Sequence, residues 1–155
     1  MAKGDRMREL VKELEARRAT AMAMGGEERV AQQRQLGKLT VRERVELLFD
    51  EGSYQEFGAL ARHLPSPTMR GKNTPADGVL TCIGKIGGRY VGVAAYDFTV
   101  MAGTIGTVGE VKVTRLREWC LKERLPIVWL IDSAGARVQE AAGTQFAGTG
   151  YLFRE

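Results

Sequence analysis

An uninterrupted apolar run at residues 127–131 restricts the fold more than any other feature of the chain. Pro126 precedes the run and Asp132 follows it, so both of its ends are marked by residues that interrupt regular structure. Five apolar residues without polar alternation are typical of a strand buried on both faces, as in a parallel sheet covered by helices. We therefore predict a layered α/β fold.

A β-hairpin precedes this run. Strand-forming residues occupy positions 78–86 and 89–96, and Gly87 and Gly88 between them can adopt the positive φ angles of a two-residue turn. A helix is predicted at residues 106–123, before the apolar run. A hairpin, a helix and a buried strand in this order favour a mixed α/β layer over a bundle or a sandwich.

The first 36 residues have the character of a helical arm, and residues 37–155 form the remaining domain. In the predicted helix over residues 5–20, four apolar residues share one face: Met7, Leu10, Val11 and Leu14. A glycine pair interrupts this helix, and a shorter, polar helix is predicted at residues 27–36.

Thr40 and Glu43 have the spacing of a capping box at the start of a third helix, which Gly52 is predicted to end. Residues 63–75 contain three of the four prolines, so we predict an irregular surface loop there.

Composition excludes several classes of function. The net charge of +4 comes mainly from residues 1–44 without a dense basic run, so no nucleic-acid partner is expected. Cys82, Cys120 and His63 are too few to build a structural metal site or a disulfide framework. The charged amino terminus and the lack of a run of about 18 apolar residues predict a soluble cytoplasmic protein with no membrane partner.

The segment from Ser133 to Arg137 is the main candidate for chemistry, since ligands of open α/β sheets bind at the carboxyl ends of strands. Its small residues could expose backbone N–H groups at the start of a helix and hold a developing oxyanion. A tight turn with a capping Ser or Asp is the alternative. A Ser133 triad is not expected, because the single histidine, His63, belongs to the proline-rich loop.

Gly103, Gly106 and Gly109 precede or open the predicted helix at intervals of three. Such a pattern could let a phosphate or pantetheine chain approach the backbone, or it could simply be a helix entry. Asp97, after the hairpin, could be a general base or could cap the next turn.

Five segments carry a resemblance to a known family through their order and spacing. They are residues 37–52, Asp77-Gly78-Val79, Asp97-Phe98-Thr99-Val100 with Gly103, residues 132–140 (Asp-Ser-Ala-Gly-Ala-Arg-Val-Gln-Glu), and residues 150–154. Together they resemble the amino-terminal half of the carboxyltransferase (beta) subunit of propionyl-CoA carboxylase and related biotin-dependent acyl-CoA carboxylases.

This resemblance implies an incomplete crotonase-like (ClpP/crotonase) spiral of ββα units. It implies transfer of a carboxyl group from carboxybiotin, carried on a partner, to the α-carbon of an acyl-CoA through an enolate held by backbone amides. The implied catalytic positions are Ala134, Gly135 and Ala136, and the implied cofactor-binding positions are Gly103, Thr104, Ile105, Gly106, Ser133 and Arg137. An arginine at position 137 could equally anchor the turn by hydrogen bonds. The implied partners are a biotin carboxylase or biotin carboxyl carrier subunit and further copies of the subunit in a hexamer. No metal site is implied.

Two departures from the family pattern matter. The family has glycine where this chain has Ala134, and a positive φ there would add strain of about 1 kcal/mol. Subunits of the family are also much longer, so we expect a fragment that lacks the biotin-binding half and is inactive alone. Two alternatives stay open: the carboxyltransferase subunit of a sodium-pumping acyl-CoA decarboxylase, and a non-catalytic crotonase-like assembly module.

Overall fold

The computed structural model describes residues 3–141, and these residues form a mixed α/β fold, as predicted. The helices are α1 Lys3–Met22, α2 Glu27–Gln35, α3 Val41–Leu48, α4 Thr107–Glu123 and α5 Val138–Ala141. The strands are β1 Gln55–Phe57, β2 Val79–Ile86, β3 Arg89–Tyr96 and β4 Ile127–Leu130. Short 3-10 turns occupy Pro67–Met69, Pro75–Gly78 and Met101–Gly103. The helix predicted at residues 150–154 lies outside the described residues.

The strands form one sheet in the order β1-β2-β3-β4. The predicted hairpin is confirmed, with β2 and β3 antiparallel from the Val79–Tyr96 pair to the Ile86–Arg89 pair. Gly87 and Gly88 have φ angles of 56° and 79°, as a two-residue turn of this kind requires. β4 lies parallel to β3, and α4 makes the crossover that a parallel pair needs.

A helix covers each face of the sheet. α3 packs with Leu80, Cys82 and Val93 on one face, whereas α4 packs with Val79 and Ile83 on the other. Because successive side chains of a strand point to opposite faces, the apolar run in β2 fills both layers. No helix among the described residues combines the length and the apolar composition needed to cross a bilayer.

The capping box at α3 is confirmed. Glu43 N–H donates to Thr40 Oγ1 at 3.3 Å, and Thr40 N–H donates to Glu43 Oε2 at 2.7 Å. The helix ends at Leu48, so the prediction that Gly52 ends it is wrong; Gly52 instead takes a φ of 64° in the following turn. Asp50 also explains the hairpin turn, because its carboxylate accepts hydrogen bonds from both Gly87 N–H and Gly88 N–H.

Two further predictions are corrected. The strand at residues 127–131 is half-buried rather than buried, and Ile131 is 65% exposed, because β4 lies at the edge of the described sheet. Ser133 does not start a helix. The chain bends at Gly135, which has a φ of 98°, Ala136 forms a β-bridge with Ile105, and α5 begins only at Val138.

Candidate functional site

Two turns lie side by side where β3 and β4 end. The strands are parallel neighbours, so the chain leaves both at the same edge of the sheet. Residues 97–104 follow β3, and residues 131–137 follow β4. These turns contain most of the site residues predicted from the sequence.

Asp97 organises the first turn. Its Oδ1 accepts hydrogen bonds from Thr99 N–H at 3.0 Å and from Thr99 Oγ1 at 2.6 Å. Burial raises the pKa of this carboxyl group, and the two hydrogen bonds from Thr99 oppose the shift. These contacts match the capping interpretation rather than that of a general base.

Three consecutive residues then take left-handed conformations. Met101, Ala102 and Gly103 have φ angles of 47°, 55° and 63°. A non-glycine residue in this region costs about 1–2 kcal/mol, so the surrounding contacts must hold the turn in place. The turn directs Ala102 O toward the segment that follows β4, where it accepts a hydrogen bond from Ala134 N–H at 2.9 Å.

The two turns continue as a short parallel pair. Ile105 N–H donates to Gly135 O, and Arg137 N–H donates to Ile105 O, both at 2.9 Å. Ile105 and Ala136 are the residues directly opposite each other. The structure therefore brings together the two segments that the sequence analysis assigned to the substrate.

Contacts within this segment and with the first turn use two of the three backbone N–H groups that were predicted to bind the oxyanion. Ala134 N–H is used as described above, and Gly135 N–H donates to Ser133 Oγ at 3.0 Å. Ala136 lies opposite Ile105 in parallel register, which directs its own N–H away from that partner. No hydrogen bond between residues 3 and 141 uses this N–H. Of the three predicted catalytic residues, Ala136 is the one whose amide is free within the described chain.

The alanine at position 134 introduces no backbone strain. Ala134 is not among the residues with positive φ, and the left-handed conformation falls on Gly135, at φ 98°. An added Cβ at Gly135 would meet nothing within 4 Å, so only its backbone conformation requires glycine.

Other atoms of the protein, rather than a ligand, occupy the space beside Gly103 and Gly106. A Cβ at Gly103 would overlap Asp132 O, and a Cβ at Gly106 would overlap the guanidinium group of Arg137. The interpretation that these glycines open the backbone to phosphate or pantetheine is therefore not needed to explain them. They let the two turns approach each other.

Arg137 anchors the second turn from within the protein. Its side chain is completely buried, and Nη1 lies 2.5 Å from Asp77 Oδ1 and 2.7 Å from Glu140 Oε2. Nη2 donates to Thr104 O at 3.0 Å. These contacts occupy the guanidinium group and hold the turn in place, which is the alternative role considered for an arginine at this position.

Asp77 is a residue of this site whose role the sequence analysis missed. It lies in the turn before β2 with a φ of 50°, and its Oδ2 accepts from Gly109 N–H at 2.6 Å, at the start of α4. Lys112 fixes the same turn, because its Nζ donates to Ala76 O at 2.7 Å and to Val79 O at 2.5 Å. Burial lowers the pKa of Lys112 to about 8, although Glu56 and Asp77 oppose the shift.

The arm and Lys38, which follows it closely, contact both turns. Gly25 N–H donates to Thr99 Oγ1 at 2.9 Å. Lys38 Nζ lies 2.8 Å from Asp132 Oδ1, and Gln33 Nε2 donates to Asp132 Oδ2 at 3.1 Å. Burial raises the pKa of Asp132, but the hydrogen bonds from Lys38 and Gln33 outweigh it and the pKa is lowered.

Two clefts lie between the arm and the 97–104 turn. One, of about 480 Å³, is lined by Arg29, Lys72 and the predicted cofactor-binding residue Thr104, and no acidic residue of the described chain lines it. The other, of about 440 Å³, is lined by residues of α2 and by Phe98. Arg29 and Thr99 line both clefts.

His63 takes no part in a nucleophilic arrangement with Ser133. His63 Nδ1 lies 2.9 Å from Thr74 Oγ1, and His63 N–H donates to the same oxygen at 3.0 Å. The side chain of His63 is half-buried. Ser133 Oγ instead accepts the hydrogen bond from Gly135 N–H.

Known proteins share both sequence and structure with this chain. The propionyl-CoA carboxylase beta chain of Cereibacter sphaeroides is 42% identical over 149 residues, which are 96% of this chain and 29% of that relative. The methylmalonyl-CoA decarboxylase subunit alpha of Veillonella parvula is 38% identical over 150 residues, with the same two coverages. The chain therefore spans less than a third of the length of these curated relatives.

Solved structures agree with this similarity. A transcarboxylase 12S structure with methylmalonyl-coenzyme A and methylmalonic acid bound matches 96% of this chain and 29% of that chain, with a TM-score of 0.88 at 40% identity. The beta subunit of geranyl-CoA carboxylase from P. aeruginosa matches 96% and 26%, with a TM-score of 0.69 at 29% identity.

The crotonase-like architecture is confirmed by these structures, and β2, β3 and α4 form a ββα unit. A sequence profile described as "Carboxyl transferase domain" matches residues 32–155. From the profile, the curated relatives and the solved structures together, we conclude that the chain belongs to the carboxyl transferase domain family of biotin-dependent acyl-CoA carboxylases and decarboxylases.

Proposed function

We propose that this chain supplies part of the acyl-CoA site of a biotin-dependent acyl-CoA carboxyltransferase. The reaction moves the carboxyl group of carboxybiotin, carried on a partner, to the α-carbon of the acyl-CoA. The biotin that has lost its carboxyl group takes up the proton that this carbon loses. One observation carries the proposal: the paired turns after β3 and β4 leave the amide of Ala136 free, in a segment that matches the family.

The role of this amide follows from where charge develops. When the α-proton of a thioester leaves, the thioester oxygen gains negative charge, and an oriented N–H stabilises it without any titrating side chain. Ala136 lies in the short parallel pairing of residue 105 with residue 136, and the buried side chain of Arg137 holds this segment through its ion pair with Asp77. The donor is therefore held in place before the substrate arrives, and no reorganisation is needed during the reaction.

The cleft lined by Thr104, Arg29 and Lys72 suits the anionic part of an acyl-CoA. It has two cationic side chains and no acidic lining residue in the described range. Arg29 also donates to Thr99 O at 3.4 Å, which leaves part of its guanidinium group for a ligand. We assign the phosphates of CoA to this cleft, with Thr104 toward the acyl end.

We assign no biotin contact to residues 3–141. The biotin-bearing partner, assembly with further copies and a cytoplasmic location belong to the same proposal, because the relatives are subunits of multi-subunit carboxylases and the 12S relative forms a hexamer.

The test removes the free amide. In the complete carboxyltransferase that carries this segment, assembled with its biotin-bearing partner, Ala136→Pro should lower kcat for propionyl-CoA by about 10²–10³-fold, the usual loss for one oxyanion donor. Ala136→Gly keeps the amide and is the matched control. Equal rates for the Pro and Gly variants, with thermal stability unchanged in both, would remove Ala136 from the site.

The reverse direction is a second candidate, because the decarboxylase subunit of Veillonella parvula is nearly as similar as the carboxylase chains. Assays of the same assembly with propionyl-CoA and bicarbonate, and with methylmalonyl-CoA in the presence of sodium, separate the two. Carboxylation without sodium-dependent decarboxylation would exclude this second candidate.

A further inference from the structure

The carboxylate of Asp132 joins the arm to the candidate site. Asp132 follows β4 directly and begins the segment that pairs with residues 102–105. Each of its oxygens has a partner on the arm side: Lys38 Nζ is 2.8 Å from Oδ1, and Gln33 Nε2 is 3.1 Å from Oδ2. Gln33 is only 5% exposed and its contact with Asp132 is partly buried, whereas the side chain of Lys38 is 45% exposed.

The position of Lys38 is fixed from another direction as well. Its Nζ lies 4.9 Å from the centroid of the Phe98 ring, in the turn that follows β3. One ammonium group therefore contacts both turns of the site. Lys38 and Gln33 both fall within residues 32–155, the range that matches the family; Gln33 lies in the arm and Lys38 just after it.

The arm has a second attachment at the other turn. Gly25 N–H donates to Thr99 Oγ1, and a Cβ at Gly25 would overlap Thr99 O. The arm is thus fastened to the turn after β3 at Gly25 and to the turn after β4 at Asp132. The segment between these attachments, which includes α2, lines the two clefts.

We infer that Lys38 and Gln33 are positioning residues for the amide of Ala136. By holding Asp132, they fix the point at which the segment leaves β4, and so they hold its pairing with Ala102 and Ile105. This pairing exposes the Ala136 N–H on the opposite side. The link to catalysis depends on the proposed function, whereas the link between the arm and the segment does not.

The ion pair of Arg34 with Glu43 is a control that separates positioning of the 132–137 segment from general stabilisation of the fold. Arg34, also on the arm, lies 2.6 Å from Glu43 Oε1 on α3 and makes no contact with the 132–137 segment in the described chain. Both Arg34→Met and Lys38→Met remove the cation of one ion pair near the junction of the arm and the domain. Only Lys38→Met removes a contact to Asp132.

Amide hydrogen exchange on the 155-residue chain tests the first link. In Lys38→Met, the amides of Ala134 and Arg137 should exchange about tenfold faster than in the parent, while Arg34→Met leaves them within twofold. Lys38→Arg keeps a cationic donor and should restore slow exchange. Asp132→Asn provides a second variant and should add little to Lys38→Met. Equal acceleration by Lys38→Met and Arg34→Met, or none by either, would overturn the inference.

Kinetics of the complete carboxyltransferase with its biotin-bearing partner test the second link. Lys38 lines neither cleft, so Lys38→Met should lower kcat about tenfold with KM for propionyl-CoA changed less than twofold, and Lys38→Arg should recover kcat. A raised KM with an unchanged kcat would show a binding role and refute positioning. If the parent assembly carboxylates no acyl-CoA, the proposed function fails, while the exchange result still decides the link between arm and segment.

Discussion

The buried pair of Arg137 and Asp77 allows the most quantitative prediction. Neither side chain is exposed, and their charged atoms lie 2.5 Å apart. Arg137→Met removes the cation together with its bonds to Glu140 and Thr104, and it leaves two carboxylates in the interior without their partner. Breaking a buried pair in this way typically costs about 3–5 kcal/mol. Since a whole domain is stable by only about 5–15 kcal/mol, the variant should retain little stability.

Urea denaturation of the 155-residue chain, followed by tryptophan fluorescence, measures this loss. The control is Arg17→Met, which breaks a pair with the same 2.5 Å separation to Glu13 on the exposed face of α1 and should change stability by less than about 1 kcal/mol. The double variant Arg137→Met with Asp77→Asn should be more stable than Arg137→Met alone, because one uncompensated charge is gone. A loss below 1 kcal/mol for Arg137→Met, or strict additivity in the double variant, would refute the reasoning.

Three further predictions concern titration and close packing. Folding lowers the pKa of Lys112 from 10.5 to about 8, so the unfolded chain binds this proton more tightly than the folded chain. The free energy of unfolding should therefore rise between pH 8 and 10.5. In urea denaturation at several pH values, Lys112→Met should flatten that rise. The pKa of Glu43 falls from 4.5 to about 2, because Thr40 N–H donates to it and Arg34 pairs with it. The stabilisation is then present above pH 4.5 and lost toward pH 2, and Glu43→Gln should weaken this acid dependence of the unfolding midpoint. Gly25→Ala should loosen the arm, seen as faster trypsin cleavage before residue 38, whereas Gly4→Ala, with nothing within 4 Å, should leave cleavage unchanged.

Local patterns were sufficient to predict several elements. The hairpin at Gly87 and Gly88 and the capping box of Thr40 and Glu43 both match the structure, because each depends on residues only a few positions apart. The start of α4 after Gly106 is also local. Sequence alone could therefore place the chain in a mixed α/β class and mark where the turns of the site begin.

Contacts distant in sequence could not be predicted in the same way. Arg137 and Asp77 are 60 positions apart, and Lys38 and Asp132 are 94 positions apart. Nothing in either local sequence identifies the partner, so the sequence leaves the role of Arg137 open between binding a ligand and anchoring the turn, and it does not predict the contacts between the arm and the domain. The Asp-Gly pair before β2 was the one available signal for Asp77, since a charged residue beside a buried strand requires a partner.

The half-burial of residues 127–130 has a related cause. An apolar run indicates that a strand is covered, but not which part of a protein covers it. Within residues 3–141, β3 is the one strand that pairs with β4, and Ile131 is largely exposed.

The two free cysteines lie in different layers of the fold. Cys82 packs with α3 on one side of the sheet, and Cys120 lies on α4 on the other. Burial raises the pKa of Cys82 to about 12 and also raises that of Cys120, so both thiols stay protonated and shielded while their layers are closed. Alkylation of each thiol therefore reports the opening of its own layer. The order in which Cys82 and Cys120 are labelled during unfolding gives the order in which the two layers unfold.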